Sequence, residues 1–184
     1  MKLPIHIQKL WGYNMTQKIV SNKALGTGVA GEFYSTEPQR TRGKLLVSAN
    51  AALNLIAVAV TQVAGEEDQV GVAASAVFSG ILGSPKSLQR VGLDAQTAVP
   101  NGTAVECILQ GYVIVNLPAA AAIGDFVYFT DATGLLTTIA PDGIPPASST
   151  RIAGATVQIK NVAAAGLGII YLDSAGDKSD STGT

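Results

Sequence analysis

Residues 124–138 read GDFVYFTDATGLLTT. A run of aromatic and β-branched residues over 126–130 leads into the loop DATG, and a second apolar run begins at position 135. Strand-forming residues on both sides of a short loop that ends in glycine are typical of a β-hairpin, and Gly134 suits a left-handed backbone position. The stretch therefore predicts two antiparallel strands.

The first strand of this hairpin is apolar on both faces. Side chains alternate along a strand, so Phe126 and Tyr128 should face one side and Val127 and Phe129 the other. We therefore expect core to cover one face and a neighbouring element or partner to cover the other.

Outward from the hairpin, short apolar segments alternate with turn signals rich in Gly, Pro, Asn and Asp. This pattern predicts an all-β chain, a compact antiparallel β-barrel or sandwich-like domain with an extended N-terminal arm. The Ala-rich stretch 49–60 is also compatible with a short helix. The predicted strands are 45–49, 54–63, 69–80, 104–109, 111–117, 126–130, 135–139, 152–159 and 167–172.

The chain divides into an arm over 1–43, a β-rich domain over 44–173 and a polar tail over 174–184. Residues 1–44 hold seven Lys or Arg and two Glu, a net charge of +5, whereas residues 45–184 hold five basic and eleven acidic residues, a net charge of −6. Such asymmetry indicates an interaction surface. The basic residues of the arm are scattered singly, which argues against direct binding of nucleic acid.

The composition argues against catalysis. Hydrophobic residues make up 47% of the chain and charged residues 14%, with one His and one Cys. The pair His6 and Cys107 forms neither an intramolecular disulfide nor a Cys/His zinc site, and Cys107 is interpreted as a small buried hydrophobe. We assign no catalytic, cofactor-binding or metal-binding residue and expect no enzyme. A hydrolase that uses carboxylates brought together by folding stays open.

Three short motifs have simpler explanations than a ligand site. The segment GTGVAG at 26–31 has dinucleotide-loop spacing but lacks a preceding strand, a following helix and the distal acid, so it is interpreted as a flexible glycine hinge. The sequon at 101–103 is interpreted as an Asn-Gly turn. The acids of 66–68 are interpreted as a solvated loop, because a calcium loop spreads its ligands at alternate positions.

The N-terminus shows neither a signal peptide nor a membrane span, so synthesis in the cytoplasm is expected, with Met1 or Met15 as the start.

Five segments in order resemble one known family. The glycine turns and following strands in these segments resemble the structural cement, or capsid decoration, proteins of tailed bacteriophages, over about 43–173. The segments are FSGILGSPKSL (78–88), VPNGTAVECILQGYVIVNL (99–117), AAAAIGDFVYFTDATGLLTT (119–138), RIAGATVQIKNV (151–162) and AAGLGIIYLD (164–173).

The resemblance implies a non-enzymatic component of the virion. Such a protein lies on the outer surface of the head, over junctions between major capsid protein subunits, and stabilises the shell against internal DNA pressure. Its implied partners are the major capsid protein and neighbouring copies of itself, as a homotrimer at three-fold or quasi-three-fold sites. The composition, hydropathy and scattered charge lead us to expect no cofactor, no metal, no membrane and no direct contact with nucleic acid.

The arm supplies the residues expected to contact the capsid. Aromatic residues in a poorly periodic segment need a surface that buries them, and arginines pair well with carboxylates. The predicted contact residues are Trp11, Tyr13, Phe33, Tyr34, Arg40 and Arg42. The alternative function is a head fibre base or surface module that binds glycans, which requires an exposed aromatic platform.

Overall fold

A computed structural model describes residues 28–84 and 98–173, and this part of the chain is all-β. Its only regular helix is a 3-10 turn over Ala51–Leu53. The strands are β1 (Arg40–Leu46), β2 (Ala59–Gln62), β3 (Gln69–Gly71), β4 (Phe78–Leu82), β5 (Ala104–Leu117), β6 (Phe126–Thr130), β7 (Leu136–Ile139), β8 (Ser149–Val157) and β9 (Gly166–Leu172). Among the described residues there is no helix long and apolar enough to cross a membrane.

The first five strands close into a barrel. Its order is β1-β3-β2-β4-β5, and β5 pairs back with β1 along Thr41–Leu45. Closure removes the free edges that would otherwise expose unpaired backbone groups. The all-β prediction is confirmed, although the barrel is mixed, because β1 and β3 pair in parallel at Leu45–Gln69 and Leu46–Val70.

Strand β5 continues beyond the barrel into a second sheet, called here the C-terminal sheet, with the order β5-β9-β8-β6-β7. Its residues from Gly111 to Leu117 pair with β9, whereas its earlier residues pair with β1 and β4. The strand changes partners at Gly111, which has a φ of 121°. A left-handed position of this kind is open to glycine at little cost, so one strand serves both parts.

Two cores stabilise these parts and meet at the barrel wall. Inside the barrel, Leu46, Val60, Val70 and Leu82 are inaccessible to solvent, together with Cys107. The second core combines side chains of the C-terminal sheet with barrel residues. Its members include Ala59, Ile81 and Ile108 of the barrel and Val113, Val127, Phe129, Ile152, Ile170 and Leu172 of the sheet. Burial of these apolar surfaces is the main stabilising term.

The 124–138 hairpin forms as predicted. Strand β6 pairs with β7 from Phe126–Ile139 to Phe129–Leu136, and Gly134 is left-handed with a φ of 66°. The Gly134 carbonyl accepts a 2.8 Å hydrogen bond from the Ala59 N–H. The tip of the hairpin is therefore fixed to barrel strand β2.

The predicted strand 54–63 exceeds β2 by five residues at its start and one at its end. At the start, side-chain hydrogen bonds replace the backbone pairing of a strand. Asn54 Nδ2 donates to the Val99 carbonyl and to Asn101 Oδ1, both at 2.9 Å. Asn101 in turn accepts from the Ser48 N–H at 3.0 Å and donates to the Ser48 carbonyl at 2.8 Å. Ala57 is also left-handed, with a φ of 66°, so extended backbone starts only at Ala59.

The predicted strand 69–80 divides into β3 and β4 for a similar reason. Thr61 Oγ1 donates to the Gly71 carbonyl and accepts from the N–H groups of Ala74 and Ser75 at 3.0 and 3.1 Å. A buried hydroxyl that binds three backbone groups favours a turn over a continuous ladder.

The predicted arm over 1–43 reaches into the barrel, since β1 begins at Arg40. The tail over 174–184 and most of the arm lie outside the described residues.

The close packing of Gly134 against β2 predicts that a side chain at this position destabilises the protein. A Cβ at Gly134 would lie 2.4 Å from the Ala59 carbonyl oxygen, whereas a Cβ at Gly65, which has a φ of 80°, would meet nothing within 4 Å. Left-handed strain alone costs about 1–2 kcal/mol. We expect Gly65→Ala to lower the free energy of unfolding by that amount and Gly134→Ala to lower it by about 1–3 kcal/mol more.

Urea unfolding followed by tyrosine fluorescence measures both variants. Equal losses for the two variants would contradict the steric contact at Ala59.

Candidate interaction surface

The described residues contain no arrangement suited to catalysis or metal binding. No group of three or more His, Cys, Asp or Glu side chains in 28–84 and 98–173 is placed to hold a metal ion. Burial in the barrel raises the pKa of the Cys107 thiol from its ordinary value of 9.0 to about 12, against a smaller lowering by Lys44. A protonated, buried thiol is a poor nucleophile.

Residues 28–34, called here the strap, lie along the edge of β5 opposite β9. The Gly31 N–H donates to the Ile114 carbonyl at 2.8 Å, and the Ile114 N–H donates to the Glu32 carbonyl at 3.0 Å. The Tyr34 N–H completes the ladder at the Tyr112 carbonyl, at 2.9 Å. These bonds cover a sheet edge that would otherwise be open.

The interpretation of GTGVAG as a flexible hinge is wrong for the glycines of the strap. Gly28 and Gly31 are both left-handed, with φ values of 110° and 82°. A Cβ at Gly31 would lie 2.3 Å from Ile56 Cγ2, and its carbonyl accepts a hydrogen bond from the Ser84 N–H. These glycines allow the backbone to approach the domain closely.

Two of the predicted contact residues lie in the strap and have different environments. Phe33 pairs with Val113 and packs half-buried against the second core, so its ring is used within the chain. The next residue, Tyr34, keeps 45% of its surface exposed. Alternation along an extended segment explains this difference. Trp11 and Tyr13 lie outside the described residues.

The two predicted arginines are exposed on β1. Arg40 lies opposite Gln110 and Arg42 opposite Cys107 in the β5 ladder. Neither has a carboxylate within ion-pair distance in the described residues, whereas Lys44 Nζ lies 3.9 Å from Asp68 Oδ1 and bonds the Glu67 carbonyl. The cations of Arg40 and Arg42 are thus available to a partner.

A groove of about 470 Å³ includes Arg42 in its lining. Lys44, Glu67, Asp68 and Phe78 line it as well. The structure confirms that the acids 66–68 form an exposed loop, and one of them is partly neutralised by Lys44. The groove therefore presents both signs of charge.

Two exposed apolar features were missed by the sequence reasoning. In the loop between β7 and β8 every residue from 140 to 148 is exposed, and Ile144 keeps 91% of its surface accessible. At the far end of the C-terminal sheet, Ile123 and Ile159 are exposed on loops that the Ala121–Val162 bridge joins. Ile144 lies in the Pro- and Gly-rich segment 141–146, which the sequence predicts as a break between strands, whereas Ile159 ends the predicted strand 152–159.

Comparisons with known proteins identify one family and one similar fold. A family model described as "Structural cement protein (E217 gp24/Pam3 gp6)" matches residues 15–173. Among solved structures, a chain of "The capsid of Myoviridae Phage XM1" is similar, with a TM-score of 0.55 and 14% identity over 81% of this chain and 92% of that chain. At this identity the structural match shows the fold alone. The comparison with curated protein sequences found no match.

The raised pKa of Cys107 makes a prediction for the free protein. In the unfolded chain the thiol ionises near 9.0 and in the folded chain near 12. The folded state therefore binds the thiol proton more tightly than the unfolded state does. The protonated thiol makes its full contribution to stability below pH 9, and this contribution is lost between about pH 9 and 12. We expect the free energy of unfolding to fall more steeply over this range than in Cys107→Val.

Urea titrations at a series of pH values compare the two proteins. A thiol reagent at pH 8 should also leave folded Cys107 unmodified and react after denaturation. Rapid labelling of the folded protein would contradict its burial.

Proposed function

The chain belongs to the family of phage structural cement proteins, and we propose that it binds the outer surface of the head at junctions between major capsid protein subunits. The family is structural and non-enzymatic, and its members are components of the virion capsid. The observation that carries the proposal is the family match over 15–173, which includes the barrel, the strap and the C-terminal sheet.

The proposed mechanism is thermodynamic linkage. A protein that binds the assembled lattice and not its free subunits stabilises the lattice by its binding free energy. Many copies together stabilise the lattice even if each contact is weak, because each bound copy holds adjacent subunits at a high effective concentration. In this way the shell would resist the pressure of the packaged DNA.

The geometry supports a division of roles among the proposed contact residues. Tyr34 and the cations of Arg40 and Arg42 are exposed on rigid elements and have no charged partner in the described part of the chain. Phe33 packs against the core, so its role is to hold Tyr34 in position. Trp11 and Tyr13 complete the proposed contact set from the arm.

The proposal includes self-association into a homotrimer at three-fold or quasi-three-fold sites. The exposed isoleucines at 123, 144 and 159 support it, because large apolar side chains on a surface commonly mark protein contacts.

Reconstitution on particles tests the proposed function. Heads that lack this protein are incubated with the purified chain, and copy number is measured by quantitative mass spectrometry against the major capsid protein. We expect hundreds of copies at a simple ratio to the capsid subunit, and release of DNA at a higher temperature. Binding near a dozen copies would favour a fibre role instead, and no binding would overturn the proposal.

Charge reversal tests the two arginines. In Arg40→Glu with Arg42→Glu, we expect the affinity for heads to fall about tenfold or more at low salt, and the difference to shrink at high salt. Lys160→Glu is the matched control, because it reverses an exposed charge in the loop between β8 and β9. Equal affinities of the arginine variant and the control would remove Arg40 and Arg42 from the interface.

Truncation tests the arm, and the structure decides where to cut. Removal of residues 1–43 would delete the strap and more than half of β1, so loss of binding could reflect loss of the fold. A variant that starts at Met15 removes Trp11 and Tyr13 and keeps the strap. Aromatic anchors at interfaces contribute about 2 kcal/mol or more each.

We expect the Met15 variant to bind heads at least about 30-fold more weakly, with an unchanged free energy of unfolding. The variant Trp11→Ala with Tyr13→Ala should reproduce most of this loss. Full-strength binding by both variants would show that the two aromatics are not anchors.

A further inference from the structure

The outer face of the C-terminal sheet carries a continuous row of aromatic and apolar side chains. In the strand register, Tyr112 lies opposite Tyr171, Tyr171 opposite Thr156, and Thr156 opposite Phe126. Phe126 lies opposite Ile139, and Tyr34 of the strap bonds to Tyr112 at the other end. These residues are called here the aromatic row: Tyr34, Tyr112, Tyr171, Thr156, Phe126 and Ile139.

The row points away from the core. The residues next to it along the strands, Val113, Ile170, Ala155 and Val127, belong to the second core. Because side chains alternate between the two faces of a strand, the row itself lies on the opposite face. Tyr112, Tyr171, Phe126 and Ile139 are only half-buried, although they form a well-ordered apolar surface.

The side chains of the row are already held in place. The rings of Tyr112 and Tyr171 lie 4.8 Å apart between centroids and are tilted by 46°. The guanidinium carbon of Arg151 lies 3.6 Å above the centroid of the Phe126 ring. An ordered surface loses little side-chain entropy on binding, which favours affinity.

Arg151 has unused hydrogen-bonding capacity. The guanidinium stacks on Phe126 through its flat face, so the N–H groups at its edge take no part in this contact. In the described residues no carboxylate or carbonyl accepts from these groups, and the side chain is exposed. A planar guanidinium held in this way is suited to a bidentate contact with a carboxylate.

We propose that the aromatic row is a docking face for the major capsid protein, with Tyr112 and Tyr171 at its centre and Arg151 receiving a capsid carboxylate. This inference rests on the proposed function and specifies which face meets the capsid. Tyrosine and arginine are enriched among the residues that dominate binding energy at protein interfaces. Exposed Glu32 and Asp173, each two residues from a tyrosine of the row, supply a polar rim of the kind that surrounds such a centre.

Two other occupants fit the row less well. A glycan needs an open ring face, whereas Arg151 covers Phe126 and the two central tyrosines are tilted against each other. A second copy fits less well at the Tyr34 end of the row, because the proposed capsid contacts continue from that end. Tyr34 is the first residue of the row, and Arg40 lies opposite Gln110, two residues before Tyr112.

The experiment measures the affinity of the full chain for heads that lack it. We expect Tyr112→Ser with Tyr171→Ser to weaken binding about 100-fold or more, with the free energy of unfolding recorded alongside. Thr156→Lys keeps both tyrosines and places a long cation in the middle of the row, so it tests the face if the double variant folds poorly. The control is Leu135→Ser, which removes an exposed apolar side chain before β7, outside the row and outside every proposed contact.

The affinity for heads and its salt dependence test Arg151 separately. We expect Arg151→Gln to weaken binding about tenfold and to reduce its salt dependence, and we expect Arg151→Lys not to restore it, because lysine lacks the planar fork.

The outcomes separate this inference from the proposed function. If the wild-type chain fails to bind heads, the proposed function fails. If the wild-type chain binds and the Tyr112, Tyr171 and Thr156 variants bind within about twofold of it, the docking face is overturned and the proposed function stands. Loss of self-association of the free variants in sedimentation, with head binding unchanged per copy, would assign the row to a second copy. Glycan binding that disappears in the tyrosine variant would assign it to a sugar.

Discussion

The fold depends on one strand that belongs to two structures at once. Strand β5 pairs with β1 and β4 in the barrel and, from Gly111 onward, with β9 in the C-terminal sheet. The left-handed backbone at Gly111 permits this change of partners, and a Cβ there would lie 3.1 Å from the ring of Phe33. Because the barrel and the sheet share β5 and part of one core, a displacement of either would disturb the other.

The strap holds an exposed aromatic side chain beside β5. It covers the edge of β5 with backbone hydrogen bonds and inserts Phe33 against the core, which leaves Tyr34 on the outside. An exposed side chain on a fixed backbone loses less entropy on binding than one on a loose segment. The strap thereby connects β1 with the C-terminal sheet along β5.

The chemistry of the described residues agrees with a structural protein of the cement family. Its thiol is buried and protonated, its acids are solvated or near lysine, and the exposed residues that stand out are apolar, aromatic or arginine. Such side chains supply contact area and charge pairing rather than proton transfer. A protein that only needs to hold neighbouring subunits together requires nothing more reactive.

Features that depend on neighbours along the chain can be predicted from the sequence. The 124–138 hairpin, left-handed Gly134 and the family resemblance all follow from local strand and turn patterns, because turn conformations are set by a few adjacent residues. Other features arise from contacts between residues that are distant in sequence. Asn54 meets Asn101 across 47 positions and thereby shortens a strand, and the aromatic row needs the register of β5, β9, β8, β6 and β7 together. The sequence predicts a flexible hinge at GTGVAG, because the residues that contact Gly31, Ile114 and Ile56, are remote in sequence. Hydrogen bonds and packing between distant residues leave no periodic signal in the sequence, so these features become visible only when the chain is folded.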